Sequence, residues 1–353
     1  MKLLLQNMLF LVISFIFNLT LTAGEPTLID LEFLQQDFVI KTEQIKIPAY
    51  PDAFNPSIIR WEGKLLLSFR ARDSLTQSTN PVYLTWLDEN FKPTGNIYRL
   101  EIHNVPPVGS FMQDPRLIII DNRLLMIYSN TWDEVTQELR RVFVAEVQYD
   151  GDRFYIENSF PLLKFDRDPT NKQEKNWVPF EYDGNLLLSY SIVPHKVFLP
   201  LLEQNECATI AYSETNIDWN WGELRGGTPA LMVDGEYLAF FHCSKYMKTV
   251  HSKGKSLQHY FMGAYTFKSS PPFSVTKISP EIIVGKNFYH GKLHQTWKPL
   301  FVVFPGGFIC NKQHIWVVYG RQDHEMWIVK INKDGLLKSL KTVKDFSYKN
   351  ATN

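Results

Sequence analysis

The sequence is poor in cysteine, carries no net charge, and contains a single long hydrophobic run. Three cysteines in 353 residues are too few and too scattered for a disulfide scaffold or a zinc site of known spacing. Lysine plus arginine and aspartate plus glutamate number 37 each, so no net field attracts the chain to nucleic acid or to an anionic membrane. No phosphate-binding glycine loop and no nucleophile elbow are present.

The one long hydrophobic run lies at the N-terminus and is typical of an export signal. Lys2 precedes an apolar run over residues 3–19, and small and polar residues follow up to Ala23. We therefore expect residues 1–23 to be a signal peptide, and the protein to be secreted, periplasmic or in the lumen of the secretory pathway. An uncleaved membrane anchor is the alternative, since a span needs roughly 20 apolar residues. After signal removal we expect no stable membrane insertion.

One sequence pattern occurs five times: a proline, a short β-rich run, a turn, and a second apolar run with an aromatic residue near its end. Each copy predicts a β-hairpin, because Asp-Gly, Glu-Gly or Asp-Asn turns separate runs of β-branched and aromatic residues in most copies. Steps of about 50 to 76 residues between copies leave room for one four-stranded sheet per repeat. The five prolines are Pro56, Pro115, Pro179, Pro229 and Pro305.

These repeats predict an all-β fold, a five-bladed β-propeller with a central funnel-shaped active site. No window of twelve or more residues shows a 3.6-residue apolar period, so we expect no long helices. The predicted limits are an N-terminal extension over residues 24–48, the propeller over 49–345 and a flexible tail over 346–353. A β-sandwich would not repeat in this way, and two smaller domains would need a linker that the sequence lacks.

Polar residues stand just before the first strand of the predicted blades. Because that strand lines the central channel of a propeller, these residues should meet at one mouth of the channel. Such a convergence of polar groups indicates a binding site or an active site, although polar neighbours of a proline also simply begin strands. The residues concerned are Asn55, Gln113, Asp114, Arg116, Lys175, Asn176, Arg225, Gly226 and Gly227.

The motifs at these positions resemble glycoside hydrolase family 130, five-bladed propellers that include β-mannoside phosphorylases and β-1,2-mannosidases. The resemblance covers nearly all of the chain after about Ala49. The matching motifs are Phe54-Asn55-Pro56, Leu67-Ser68-Phe69-Arg70, Gln113-Asp114-Pro115-Arg116, Lys175-Asn176-Trp177, Gly226-Gly227-Thr228-Pro229, Phe241-His242 and Tyr319-Gly320-Arg321-Gln322-Asp323.

The resemblance implies that Asp114 is the general acid, acting through a sugar hydroxyl. It also implies that Asn55, Arg70 and Asp323 hold the sugar before the scissile bond. The further predicted substrate-binding residues are Arg116, Lys175, Asn176 and His242. Arg116, two residues from Asp114 and on the same side of a strand, either binds substrate or lowers the pKa of Asp114. Hydrolysis also needs a water-activating carboxylate facing Asp114 across the sugar, and Glu174 or Glu223 stands at a blade entrance where it could act.

One departure from the family favours hydrolysis or transglycosylation over phosphorolysis. Phosphorylases of the family have an arginine at the end of the third-blade hairpin, where this sequence has Tyr190-Ser191. Lys175 and His242 remain as phosphate ligands, but a dianion usually needs an arginine fork. We expect an oligosaccharide or glycan substrate, no nucleic-acid partner and no cofactor, with inorganic phosphate as the one alternative co-substrate.

We also expect no metal. Four histidines, His251, His259, His290 and His294, fall in one segment, but no pair has the helix or hairpin spacing of a metal site, so loop histidines are the expectation.

Three other functions stay open. Asp114-Pro115-Arg116 also resembles the Arg-Asp-Pro motif of fructan- and arabinan-cleaving propellers, and Glu206-Cys207 resembles their Glu-Cys pair. A β-mannosyltransferase that uses an activated donor is the second alternative. A non-catalytic sugar-binding propeller is the third.

Overall fold

The computed structural model describes residues 28–72, 80–103, 112–131, 140–166, 173–296 and 298–345. The predicted signal peptide, residues 1–23, and the predicted tail, residues 346–353, lie outside these ranges. Within them the chain is almost entirely β-structure, and no helix is long and apolar enough to cross a membrane. The described residues form two short 3-10 helices, Leu31–Leu34 and Leu202–Gln204. They also form one α-helix, α1, at Lys333–Ser339.

Each sequence repeat forms an antiparallel hairpin in its own sheet, and the described residues contain five such sheets. The first consists of β2 (Phe54–Trp61), β3 (Lys64–Arg70), β4 (Val82–Leu87) and β5 (Pro93–Arg99). The second consists of β7 (Gln113–Ile120), β8 (Arg123–Thr131), β9 (Arg140–Glu146) and β12 (Ser159–Pro161). The third consists of β13 (Val178–Tyr182), β14 (Asn185–Ser191), β15 (His195–Leu201) and β16 (Glu206–Ser213).

The fourth sheet is the largest and the fifth joins both ends of the described chain. The fourth consists of β18 (Arg225–Gly226), β19 (Leu231–Val233), β20 (Glu236–Met247), β21 (Leu257–Lys268), β22 (Val275–Ile278), β23 (Leu300–Phe301) and β27 (Lys341–Thr342). The fifth consists of β24 (Val303–Cys310), β25 (His314–Arg321), β26 (Glu325–Asn332) and β1 (Val39–Ile45). Two small sheets are formed by β6 (Glu101–Ile102), β10 (Gln148–Tyr149) and β11 (Phe154–Ile156), and by β17 (Thr215–Asn216) and β28 (Lys344–Asp345).

Strand β1 closes the ring of sheets. It is antiparallel to β26, with Val39 opposite Ile331 and Ile45 opposite Met326. The fifth sheet therefore contains an outer strand from the beginning of the chain and three strands from its end. Strand β1 lies before the boundary predicted at residue 49, so the N-terminal extension contributes a strand to the propeller.

Aromatic side chains fill the spaces between neighbouring sheets. Phe180 of the third sheet packs edge-on against Phe267 of the fourth, with ring centroids 5.2 Å apart. Phe240 of the fourth packs in the same way against Phe308 of the fifth, also at 5.2 Å. Aromatic side chains bury large apolar areas, so the high aromatic content of the sequence serves mainly the core.

The inner strands approach so closely that glycine is required where they meet. A Cβ atom on Gly226 would lie 2.0 Å from the carbonyl oxygen of Asn176, and one on Gly306 would lie 2.2 Å from that of Pro56. These glycines let adjacent blade entrances pack against each other. The entrances of the blades are therefore brought together at one end of the central channel.

Candidate active site

Three blade entrances share one unusual backbone conformation. Asn55, Asp114 and Asn176 have φ angles of 47°, 54° and 65°, in the left-handed region. Asparagine and aspartate tolerate this region better than other residues with a Cβ atom. The pairing register of the first two sheets also shifts here, between Phe54 and Ser57 and between Gln113 and Arg116. Such bulges redirect side chains, and these three side chains line the central funnel.

The funnel is a cavity of about 550 Å³, within the usual range for small-ligand sites. Every predicted site residue except Arg116 lines it. These are Asn55, Arg70, Asp114, Lys175, Asn176, His242 and Asp323. The lining also includes Phe54, Arg72, Gln113, Glu223, Arg225, Tyr260 and Phe304.

Asp114 lies at the centre of a polar network. The Nδ2 atom of Asn55 donates a hydrogen bond to Asp114 Oδ1 at 2.8 Å, and Nη1 of Arg70 lies 3.4 Å from the same oxygen. Burial alone would raise the pKa of Asp114, but the charges of Arg70, Arg116 and Lys175 outweigh it and lower the pKa below its ordinary value. These charges therefore favour the carboxylate form of Asp114.

Arg116 lies beneath the funnel and connects three blade entrances. Its guanidinium donates to the carbonyl oxygen of Gly227, to that of Asp114 at 3.1 Å, and to Oδ1 of Asn176 at 3.1 Å. Burial lowers its pKa to about 10, so it stays charged at neutral pH. Arg116 has only 1% of its surface exposed. Its hydrogen bonds position the backbone of Asp114 and the side chain of Asn176.

Asp323 contributes a second carboxyl group with the opposite behaviour. It lies in the turn between β25 and β26, with a left-handed φ of 50°. Burial and the negative charge of Asp114 raise its pKa to about 6, although Arg70, Arg72 and Lys175 oppose this rise. The funnel thus contains two carboxyl groups whose pKa values are driven apart, an arrangement typical of acid–base sites.

Lys175 and Arg225 form a cationic wall of the funnel. Burial lowers the pKa of Lys175, and the charges of Arg225 and Arg140 lower it further, while Asp114 and Asp323 oppose the change. Burial and the charges of Arg225 and Arg116 lower the pKa of His242 to about 3. His242 is therefore neutral, and its Nδ1–H donates to the carbonyl oxygen of Gly226 at 2.8 Å.

The two candidate bases differ in position. Glu223 is exposed and lines the funnel. Glu174 is fully buried and is not among the lining residues. Arg72 and Arg225 line the funnel, although Arg72 was not predicted and Arg225 was expected at the channel mouth without a role in substrate binding. Both had a sequence signal, since Arg72 is two residues from Arg70 along an extended segment and Arg225 stands at the fourth blade entrance.

A second cavity, of about 690 Å³, adjoins the funnel. The two share Lys175, Asn176, Glu223 and Arg225 as walls. Ser191, where phosphorylases of the resembled family have arginine, lines this second cavity, as do Tyr190, Tyr212 and Trp219.

Comparison with protein families matches residues 29–342 to glycoside hydrolase family 130, described as beta-1,4-mannooligosaccharide phosphorylase. No curated protein sequence matches the chain.

Several solved structures share the fold. A β-1,2-mannobiose phosphorylase from Listeria innocua, in complex with β-1,2-mannobiose, has a TM-score of 0.56 and 14% identity, over 84% of this chain and 92% of that one. MPT-4, a mannose phosphorylase from Leishmania mexicana in complex with a phosphate ion, has a TM-score of 0.56 and 12% identity, over 90% and 95%. MPT-1, a GDP-Man-dependent mannosyltransferase from Leishmania mexicana, has a TM-score of 0.60 and 13% identity, over 88% and 95%.

Proposed function

The chain belongs to glycoside hydrolase family 130, and on this premise we propose that its funnel cleaves or transfers the terminal unit of a β-mannoside. The observation that carries the proposal is the convergence of Asn55, Arg70, Asp114 and Asp323 in one cavity. Their donors and acceptors suit the hydroxyl groups of a neutral sugar. The proposed substrate is an oligosaccharide or glycan that ends in a β-linked mannose.

In this proposal Asp114 is the general acid, and it needs a proton before it can act. The negative charge of Asp114 helps to raise the pKa of Asp323, so Asp323 is the carboxyl group of the two that retains a proton, up to about pH 6. A bound sugar removes water from the funnel, and this desolvation raises carboxyl pKa values further. Asp114 can then deliver the proton through a sugar hydroxyl.

Hydrolysis, or transfer to another sugar, is the reaction we propose first. Glu223 lines the funnel, and it is the carboxylate that we propose activates the water. The hydroxyl of Ser191, in the adjoining cavity, offers no charge to a phosphate ion. The adjoining cavity also has room for the remainder of a glycan chain or for an acceptor sugar.

Phosphorolysis is the second candidate, and the cationic wall favours it. The charges of Arg225 and Arg140 both act on Lys175, and such a cluster attracts a dianion. A sugar donor that carries phosphate, as in the mannosyltransferase relative, would use the same wall.

Product analysis distinguishes these reactions. β-1,2-Mannobiose and β-1,4-mannobiose are incubated with and without inorganic phosphate, and GDP-mannose is tested as a donor. We expect mannose or a transfer product without phosphate. Glu223→Gln should abolish hydrolysis, whereas Glu203→Gln, at an exposed glutamate outside the funnel lining, should not change it. Mannose 1-phosphate formed only with phosphate, and lost in Arg225→Gln, would replace hydrolysis with phosphorolysis. Sugar binding without turnover would indicate a non-catalytic propeller.

We also propose that the protein is exported, on the basis of residues 1–23 alone. N-terminal sequencing of the mature protein tests this, and a start near Gly24 or Glu25 is expected. A mature chain that still begins with the apolar run would favour the membrane anchor.

A further inference from the structure

Two histidines and one aspartate from distant parts of the chain meet outside the funnel. Asp30 lies before β1, His251 lies between β20 and β21, and His290 lies between β22 and β23. Nε2 of His251 is 3.2 Å from Oδ1 of Asp30, and Nε2 of His290 is 3.1 Å from Oδ2 of the same residue. One ligand atom from each of the three residues lies within 4.8 Å of the others.

The two contacts with Asp30 are close to the ligand spacing of a tetrahedral zinc site, although they involve different oxygens of its carboxylate. Zinc binds histidine nitrogen and carboxylate oxygen at about 2.0–2.2 Å, so two ligands of one tetrahedral ion lie roughly 3.4 Å apart. Two imidazoles and one carboxylate also form a donor set that suits zinc better than magnesium or calcium, which prefer oxygen ligands.

Nε2 of His251 has two close polar neighbours. It accepts a hydrogen bond from the backbone N–H of Leu31 at 3.1 Å and lies 3.2 Å from Oδ1 of Asp30. An imidazole nitrogen has one lone pair, so a zinc ion bound at Nε2 would replace the hydrogen bond from Leu31. Nδ1 of His251 is buried and has no hydrogen-bond partner among the described residues, and it would keep the ring proton while Nε2 binds the metal.

We propose that Asp30, His251 and His290 bind one Zn²⁺ ion, with water or another small ligand in the fourth position. The spacing of the histidines in the sequence predicted no metal. The site depends on Asp30, which is more than 200 residues away from either histidine in the sequence, as the numbering shows.

The site would fasten the segment before β1 to a loop that supports the funnel. Glu32 already accepts hydrogen bonds from the backbone N–H groups of Tyr289 at 2.9 Å and His290 at 2.8 Å. Nη2 of Arg321 donates to the carbonyl oxygen of His290 at 2.6 Å, and Arg321 precedes the turn that carries Asp323. Zinc would therefore hold the loop at His290 against both the N-terminal segment and this turn.

Metal content and thermal stability test the proposal, and neither depends on enzymatic activity. The folded protein is stripped with a chelator, dialysed against Zn²⁺ or Mg²⁺, and analysed by plasma emission spectrometry and thermal melting. We expect about one bound zinc per chain, a higher Tm with zinc, and no change with magnesium.

Matched variants locate the ion. His290→Ala removes an exposed ligand, and Asp30→Asn removes the charge but keeps the side-chain oxygen that caps the first 3-10 turn. Both should lower zinc affinity at least about 100-fold. Loss of a residue that only hydrogen-bonds to a metal ligand already costs about 10- to 100-fold in affinity. His103→Ala is the control. His103 also lies beside a carboxylate, 3.3 Å from Glu101, but it does not belong to the cluster of Asp30, His251 and His290. The proposal fails if the stripped protein takes up no zinc, or if His290→Ala binds zinc as tightly as the wild type.

Discussion

Replacing Asp323 with asparagine should stabilise the protein at neutral pH and leave its stability unchanged near pH 4. The pKa of Asp323 is about 6 in the folded protein, whereas an aspartate in an unfolded chain titrates at about 3.9. Between these values the folded state binds the proton and the unfolded state does not. Stability is therefore lost as the pH rises through this window, and the loss is complete above about pH 6.

The size of the effect follows from the shift. A difference of about 2 pKa units corresponds to about 3 kcal/mol, at 1.36 kcal/mol per unit. The side chain lines an open funnel, where water screens part of this cost, so we expect about 1–3 kcal/mol at pH 7.5. Asparagine removes the charge and also tolerates the left-handed backbone at this position.

Urea unfolding at pH 4 and pH 7.5 measures the difference. The control is Asp121→Asn, because Asp121 is exposed and has a similar φ of 48°, and its substitution should change stability little at either pH. Asp323→Asn should also reduce turnover, since Asp323 is proposed to hold the sugar. A variant that is less stable than the wild type at pH 7.5, or equally shifted at both pH values, would refute the reasoning.

Three further changes test the site. Asp114→Asn should lower kcat on a β-mannoside by roughly 10²–10⁴-fold, the usual contribution of a general acid, with an unchanged circular dichroism spectrum; a loss below about tenfold would contradict its role. Arg116→Lys keeps the charge but loses the fork that connects three blade entrances, and should cost about 3 kcal/mol in urea unfolding; unchanged stability would show that these bonds are weak. Gly226→Ala places a Cβ atom against the carbonyl of Asn176 and should cost roughly 1–3 kcal/mol, visible as a lower Tm; an unchanged Tm would mean that the backbone moves freely there.

Much of the fold could be predicted because its units are local. Each repeat contains its own turn and two apolar runs, and a hairpin depends on little else. The predicted all-β propeller is confirmed, and the five repeats lie in five sheets. Strand β1 could not be found in this way, because it has no hairpin partner and pairs with β26 nearly 300 residues later.

The candidate site could be predicted in part, because repetition places equivalent residues at equivalent points. Asn55, Asp114 and Asn176 were found from their position before an inner strand, and the structure brings them into one funnel. The same reasoning left two roles open for Arg116, substrate binding or a lower pKa for Asp114, because a strand position does not tell whether a side chain enters the cavity. Arg116 is buried outside the funnel lining, where it donates to the carbonyl oxygen of Gly227.

The sequence alone thus determined the repeat, the hairpins and the family, because each is written in short motifs. Only the tertiary structure decided which groups share a charge environment. Burial and neighbouring charges separate the pKa values of Asp114 and Asp323, and the closure of the ring brings Asp30 beside His251 and His290. Both outcomes depend on distances between residues far apart in the chain, and such distances exist only after the sheets have packed.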